Sequence, residues 1–154
     1  MNVAITHSPP KGVLDYTFSR QRAGSPGLFA AVAKARPQMH CYGHIHEAWG
    51  AKMVKWIDEP SREPSHFSDI DHEESSVVES LASLRVQKFD EQDLVADKAA
   101  RRRLYGERGY CMATAPRRTG RETLFVNASM EGDEEEKQWP WLVDLELPKA
   151  GKAL

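Results

Sequence analysis

Apolar residues concentrate toward the two ends of this chain, in short runs separated by polar or turn-forming sequence. Runs of this length, bounded by glycine, proline and polar residues, are typical of buried strands. The predicted strands are residues 2–6, 39–42, 51–57, 123–127 and 141–145. Charged and polar residues dominate the sequence between the third and fourth of these runs, so the hydrophobic core should be smaller than the chain length suggests.

A helix is predicted between the first two strands. Ser25 is a favourable N-cap, Pro26 suits the first helical position, and Pro37 ends the helix. The apolar positions that share one face of this helix are Leu28, Phe29, Val32 and Ala35. Strand, helix and strand in this order form a βαβ unit, and the later strands look antiparallel. The pattern therefore predicts a mixed sheet of the α/β or α+β class.

The polar segment at about 57–122 is predicted to be a flexible insertion that contains two modest helices. Ser76 followed by Glu79 has the pattern of a capping box, so the first helix should begin there. The second helix should cover residues 91–105, with Gly106 as its C-terminal cap.

The composition fits one domain in which positive and negative charges nearly balance. The 154 residues carry 21 Lys and Arg against 23 Asp and Glu, a formal net charge of −2. This balance argues against nucleic acid or an anionic membrane as a partner. Runs of like charge at 101–103 and 131–136 are interpreted as solvated surface. The predicted domain covers 1–147, including the polar insertion, and 148–154 is predicted to be a disordered tail.

Cysteine use and hydropathy predict a soluble cytoplasmic protein. Cys41 and Cys111 are far apart in unlike contexts, which matches neither a disulfide framework nor a cysteine-rich zinc motif. No apolar run reaches the roughly 18 residues of a membrane-spanning helix. The N-terminus also lacks the charged start and apolar stretch of a signal peptide.

Three histidines are positioned to share one site. His7 follows the first predicted strand, and His44 and His46 follow the second. Ligands in open α/β sheets collect at the carboxyl ends of strands, so these side chains and Asn127 should lie along one edge. Neutral imidazole suits zinc, iron, nickel and copper, so the pattern predicts a metal site. The alternative is that these histidines lie in polar turns and bind nothing.

Three segments in this order carry a resemblance to a known family. They are Thr-His-Ser-Pro-Pro at 6–10, Gly-His-Ile-His at 43–46 and Val-Asn-Ala-Ser at 126–129. Together they resemble the C-terminal half of the calcineurin-like metallophosphoesterases, in the small branch of that superfamily. The resemblance covers residues 1–56 and 123–147.

The resemblance implies half of a four-layer αββα sandwich that holds two divalent ions, Mn, Fe or Zn, and hydrolyses phosphoric esters of small molecules. His7 and His44 would bind one ion of the pair and His46 the other. Asn127 and Asp15 are candidates for hydrogen bonds that orient these ligands. A loop-forming role explains each of these two residues as well.

The family's first three motifs are absent from these 154 residues. Asp-X-His, Gly-Asp-X-X-Asp and Gly-Asn-His-Asp/Glu supply the carboxylate that bridges the metals and the histidine that protonates the leaving group. Two dications without a bridging carboxylate are poorly compensated, so we expect no hydrolysis by this chain alone. Three hypotheses stay open: part of a phosphodiesterase-like hydrolase, a non-catalytic homologue that binds a protein through the polar insertion, or a mononuclear metal protein.

Overall fold

The computed structural model describes residues 1–117, 119–131 and 137–147. Its strands are β1 Val3–Ile5, β2 Met39–Tyr42, β3 Gly50–Trp56, β4 Ile70–Ser80, β5 Cys111–Thr114, β6 Glu122–Asn127 and β7 Trp141–Asp144. Its helices are α1 Pro26–Ala35, α2 Leu81–Leu84 and α3 Gln92–Arg108, with a 3₁₀ turn at His46–Ala48. None of the helices in these ranges is long and apolar enough to cross a bilayer. The predicted tail at 148–154 lies outside the described residues.

Five strands form a mixed sheet in the order β1-β2-β6-β3-β4. β1, β2 and β6 run parallel, whereas β3 runs antiparallel to both of its neighbours. The connection between the parallel strands β1 and β2 carries α1, as such a crossover requires. This confirms the mixed sheet of an α+β fold. Because parallel strands end at the same edge, the residues that follow β1, β2 and β6 meet there.

The sheet is covered on both faces. α1 packs on one face, and the parallel pair of β5 and β7 packs on the other. The cluster beneath α1 contains Phe29, Val32, Tyr42, Trp56 and Phe125. The cluster beneath β5 and β7 contains Ala51, Ala113, Leu124, Val126 and Val143. Helix, five-stranded sheet and two-stranded sheet therefore form three stacked layers, and the histidine edge belongs to the middle one.

The polar segment is more regular than its sequence predicts. The helix predicted to begin at Ser76 is wrong, because β4 continues to Ser80 and pairs antiparallel with β3. β4 is an edge strand with much of its length exposed, so polar side chains are tolerated there and the apolar alternation is weak. The capping box belongs to α2, where Ser80 and Ser83 satisfy each other's backbone N–H groups.

The second predicted helix is present but longer. α3 extends to Arg108, and its C-terminal cap is Gly109, whose φ of 79° is left-handed, rather than Gly106. β5 follows this cap and is absent from the predicted elements. Its four residues are too short to stand out by periodicity, and their pairing partner β7 lies far along the chain.

Candidate metal centre

The ends of β1 and β2 bring His7 and His44 into contact. His7 Nε2 lies 3.1 Å from His44 Nδ1, and the two ring centroids are 4.8 Å apart. One of these nitrogens carries the proton that the other accepts. The backbones are tied as well, because the Gly43 N–H donates to the His7 carbonyl at 3.0 Å. Both imidazoles are exposed, so the pair is open to an incoming ion.

The turn that carries His44 is strained, and buried side chains fix its backbone by hydrogen bonds. His44 has a φ of 72°, a region that crowds the Cβ of a residue other than glycine. Asn127 is fully buried and donates from Nδ2 to the Ile45 carbonyl at 2.9 Å. Ser129 Oγ lies 3.2 Å from the same oxygen and donates to Asn127 Oδ1 at 2.6 Å. Asn127 therefore orients the histidine turn through its backbone and not through an imidazole.

His46 begins the 3₁₀ turn and faces a carboxylate. Its Nδ1 lies 3.1 Å from Glu131 Oε2, but the two atoms do not meet hydrogen-bond geometry. The Nδ1 atom itself is buried. Gln138 Nε2 donates to the His46 carbonyl at 2.8 Å, and the Glu131 N–H donates to Gln138 Oε1 at 2.7 Å. Segments that follow β6 thus hold His46 and bring a carboxylate to its ring.

The contact between His7 and His44 fits two ligands of one metal ion. A zinc ion that binds two imidazole nitrogens at about 2.0–2.1 Å in tetrahedral geometry holds them roughly 3.3 Å apart. The observed separation of 3.1 Å is close to that distance. Within the described ranges, no group of three or more His, Cys, Asp and Glu side chains is arranged to hold an ion. The described residues therefore present two adjacent imidazole nitrogens and not a complete cage.

Asp15 organises the loop that follows His7. Its carboxylate is fully buried and accepts hydrogen bonds from the Gly12 N–H at 2.9 Å and the Gly24 N–H at 3.2 Å. Arg22 Nη1 donates to the other oxygen at 2.6 Å. Because all of these partners belong to the loop, the loop-forming explanation of Asp15 is the one that the contacts support.

A buried histidine that belongs to none of the three family-like segments lies beneath the site. His40 on β2 is fully buried, and its Nε2 lies 2.9 Å from the Oγ1 of Thr6, the residue before His7. Its Nδ1 has no partner among the described residues. Burial lowers the pKa of His40 to about 4, so the ring is neutral near pH 7. Strand alternation places residue 40 on the same face as Tyr42, which is also buried.

We expect His40 to make the free energy of unfolding fall as the solution is acidified. Its pKa is about 4 when folded and about 6.5 when unfolded. The unfolded chain therefore takes up the proton first, and stability is lost as pH falls from about 6.5 towards 4. Between pH 7 and pH 5 this residue should account for about 2 kcal/mol. Urea denaturation at the two pH values measures it. His40→Gln should remove this part of the dependence, and an unchanged dependence contradicts the assignment.

Comparisons with known proteins support the resemblance over part of the chain. A UPF0046 protein of Caenorhabditis elegans is 45% identical over 49 residues, which are 32% of this chain and 17% of that protein. Metallophosphoesterase domain-containing protein 1 of Homo sapiens is 40% identical over 52 residues, 32% of this chain and 16% of that protein. No family model and no solved structure matches the chain. The similarity thus spans about a third of this chain and less than a fifth of these relatives.

Proposed function

We propose that this chain, which resembles the metallophosphoesterases over about a third of its length, carries the histidine-bearing half of a metal-dependent phosphoric ester hydrolase. The observation that carries the proposal is the 3.1 Å contact of His7 Nε2 with His44 Nδ1 at the common end of two parallel strands. Imidazole nitrogens in this arrangement suit a divalent ion such as Mn, Fe or Zn. When bound, such an ion polarises a phosphoryl oxygen and acidifies a coordinated water.

The chain's own residues hold the ligands in place before any ion arrives. The hydrogen bond from Gly43 to His7 sets the distance between the two strand ends, and Asn127 fixes the turn through Ile45. Such prior positioning lowers the conformational entropy that binding must remove. Each imidazole must offer a nitrogen lone pair to the ion, and protonation of the neutral ring removes it, so metal affinity should fall as the pH falls. His46 is proposed as a ligand of the second ion.

We expect the chain alone to bind metal without turning over a phosphoester. The Asp-X-His, Gly-Asp-X-X-Asp and Gly-Asn-His motifs that complete the family site are not among its 154 residues. Among the described residues, no third histidine, cysteine or carboxylate completes a site around the histidine pair. A whole site therefore needs carboxylates from elsewhere to compensate two dications.

Calorimetric titration of the EDTA-treated chain with Zn²⁺, repeated with Mn²⁺, tests the proposal. We expect one ion per chain, with affinity at least about tenfold weaker in His7→Ala and in His44→Ala, because each removes one ligand. His72→Ala is the matched control, since this exposed histidine lies on β4. Hydrolysis of bis-(p-nitrophenyl) phosphate should stay at the background rate with the ion bound.

Two outcomes would contradict this picture in different ways. Absence of binding tighter than about 1 mM, or wild-type affinity in both histidine variants, opposes the metal proposal. A stable fold under those conditions favours the alternative, a non-catalytic homologue with a protein partner at residues 57–122. Turnover by the chain alone opposes the half-site proposal while leaving metal binding intact.

A further inference from the structure

A cavity of about 290 Å³ lies beside the histidine turn. It is bounded by the loop that follows His7, by the 3₁₀ turn at His46–Ala48, and by β3, β4 and the start of α2. Its lining includes Leu14, Tyr16, Arg22, Glu47, Trp49 and Lys52. This volume is near the lower end of the roughly 300–1,000 Å³ typical of sites for small molecules. Neither His7 nor His44 lines it, so the cavity is a separate feature.

Lys52 on β3 brings an uncompensated charge to this cavity. It is half-buried, and no carboxylate in the described part of the chain lies within ion-pair distance of its ammonium group. Lys55, three residues further along the strand, instead lies 3.8 Å from Glu74 and 3.5 Å from Glu122. A half-buried cation without a counter-ion is unfavourable, and burial together with Arg22 lowers the pKa of Lys52. An anion in the cavity would compensate the charge of Lys52 and raise the pKa of its ammonium group.

The neighbouring charges are already engaged with groups of the protein. Arg22 pairs with the buried Asp15 at 2.6 Å, and its guanidinium lies 4.2 Å from the centre of the Tyr16 ring. Glu47 accepts a hydrogen bond from the Phe18 N–H at 2.8 Å. Asp15 is therefore paired with a cation, and one oxygen of Glu47 is held by a backbone N–H. Among the described residues that line the cavity, Lys52 is the cation for which no ion pair is found.

The other walls are apolar and partly aromatic. Leu81 is buried at the start of α2, and Trp49 is fully buried behind the cavity. The Tyr16 side chain is 50% exposed, which places its ring where a ligand can reach it. A flat apolar group would bury surface against these walls, and an aromatic one could also stack on the tyrosine.

We propose that this cavity binds a small organic anion in which a phosphate or carboxylate is attached to a planar apolar group. The anionic group pairs with Lys52 and lies within the field of Arg22. The planar group covers the apolar wall and contacts Tyr16. Binding here requires neither a metal ion nor hydrolysis, so it stands or falls independently of the histidine pair.

Phenyl phosphate, titrated into the EDTA-treated full chain and followed by amide NMR shifts and calorimetry, is the direct test. We expect saturable binding with the largest shifts at residues that line the cavity. Benzoate presents a carboxylate on the same ring and separates the two anion classes. Inorganic phosphate and phenol each lack half of the ligand and should bind at least about tenfold more weakly.

Variants on β3 locate the charge that the ligand uses. Lys52→Met keeps an unbranched side chain and should weaken phenyl phosphate binding by at least about tenfold. Lys52→Arg should stay within about threefold of the wild-type affinity. Lys55→Met is the matched control and should leave binding unchanged.

A second variant keeps the test informative if Lys52→Met fails to fold. Tyr16→Leu, at the exposed part of the lining, should weaken phenyl phosphate by about threefold or more while sparing inorganic phosphate. Equal affinity of the wild type and a folded Lys52→Met overturns the proposal. Binding lost in His44→Ala, or shifts centred on the histidines, also overturns it by assigning the anion to the other site.

Discussion

Replacing Glu79 by alanine should lower the free energy of unfolding by about 3–5 kcal/mol, because the groups that donate hydrogen bonds to its buried carboxylate lose their acceptor. Glu79 lies at the end of β4 and is only 3% exposed. Arg101 Nη1 donates to both of its oxygens, at 3.0 and 2.7 Å. Tyr105 Oη donates at 2.8 Å and Ser83 Oγ at 2.6 Å. Glu79 thus connects the main sheet to α2 and α3, and its loss should loosen both helices.

Helix α3 supplies the controls for this prediction. Arg103 on α3 pairs with Glu107 one turn away, and its side chain is 81% exposed. Arg103→Ala should therefore cost less than about 0.5 kcal/mol. The double variant Glu79→Ala with Arg101→Met should recover part of the loss, since it also removes the cation that Glu79→Ala leaves unpaired. Urea denaturation measures all three variants. A Glu79→Ala loss no larger than that of Arg103→Ala would contradict the network's role.

Replacing Trp49 by alanine should cost about 3–5 kcal/mol, because it leaves a large cavity and an unpaired carbonyl. Trp49 is fully buried immediately after the 3₁₀ turn that begins at His46. Its ring stacks on Trp141 with centroids 5.1 Å apart and meets the edge of Trp139 at 6.2 Å. Its Nε1 donates to the Trp139 carbonyl at 3.0 Å. One side chain therefore joins β7 to the histidine turn.

Two further substitutions test whether the loss of stability comes from the buried position of the Trp49 ring. Trp49→Phe keeps part of the aromatic packing but loses the indole donor, so we expect about half of the alanine effect. Phe89→Ala removes a ring that is 88% exposed and should change the unfolding free energy by less than about 0.5 kcal/mol. Thermal and urea unfolding, with far-UV circular dichroism as the probe, measure both. Similar losses in Trp49→Ala and Phe89→Ala would contradict the assigned packing role.

The βαβ unit was predictable because its signals are local. Ser25 caps α1 from its own sequence position, and Arg36 adopts the left-handed cap just before Pro37. Short apolar runs on either side identify β1 and β2. Once the strands are parallel, chain direction alone brings the residues after them to one edge, which is why His7 and His44 could be placed there in advance. The 3.1 Å contact itself depends on how Asn127 and Ser129 shape the turn.

The errors concern residues whose partners lie far along the chain. Glu79 was assigned to a helical capping box, yet it ends a strand and binds Arg101 on a helix 22 positions later. The interpretation of residues 101–103 as solvated surface is wrong for Arg101, whose side chain is 28% exposed. Trp139 and the partly buried Trp141 likewise pack around Trp49, a residue far from them along the chain.

By itself, the sequence determined the βαβ unit, the mixed sheet and the edge at which the histidines gather. Those features follow from caps, periodicity and chain direction, which act over a few residues. Only the tertiary structure decided that β4 completes the sheet, that Glu79 is a buried acceptor, and that Lys52 faces a cavity with no counter-ion among the described residues. Each of these depends on groups distant in sequence. Their free energy comes from pairing and desolvation that exist only once the layers have packed.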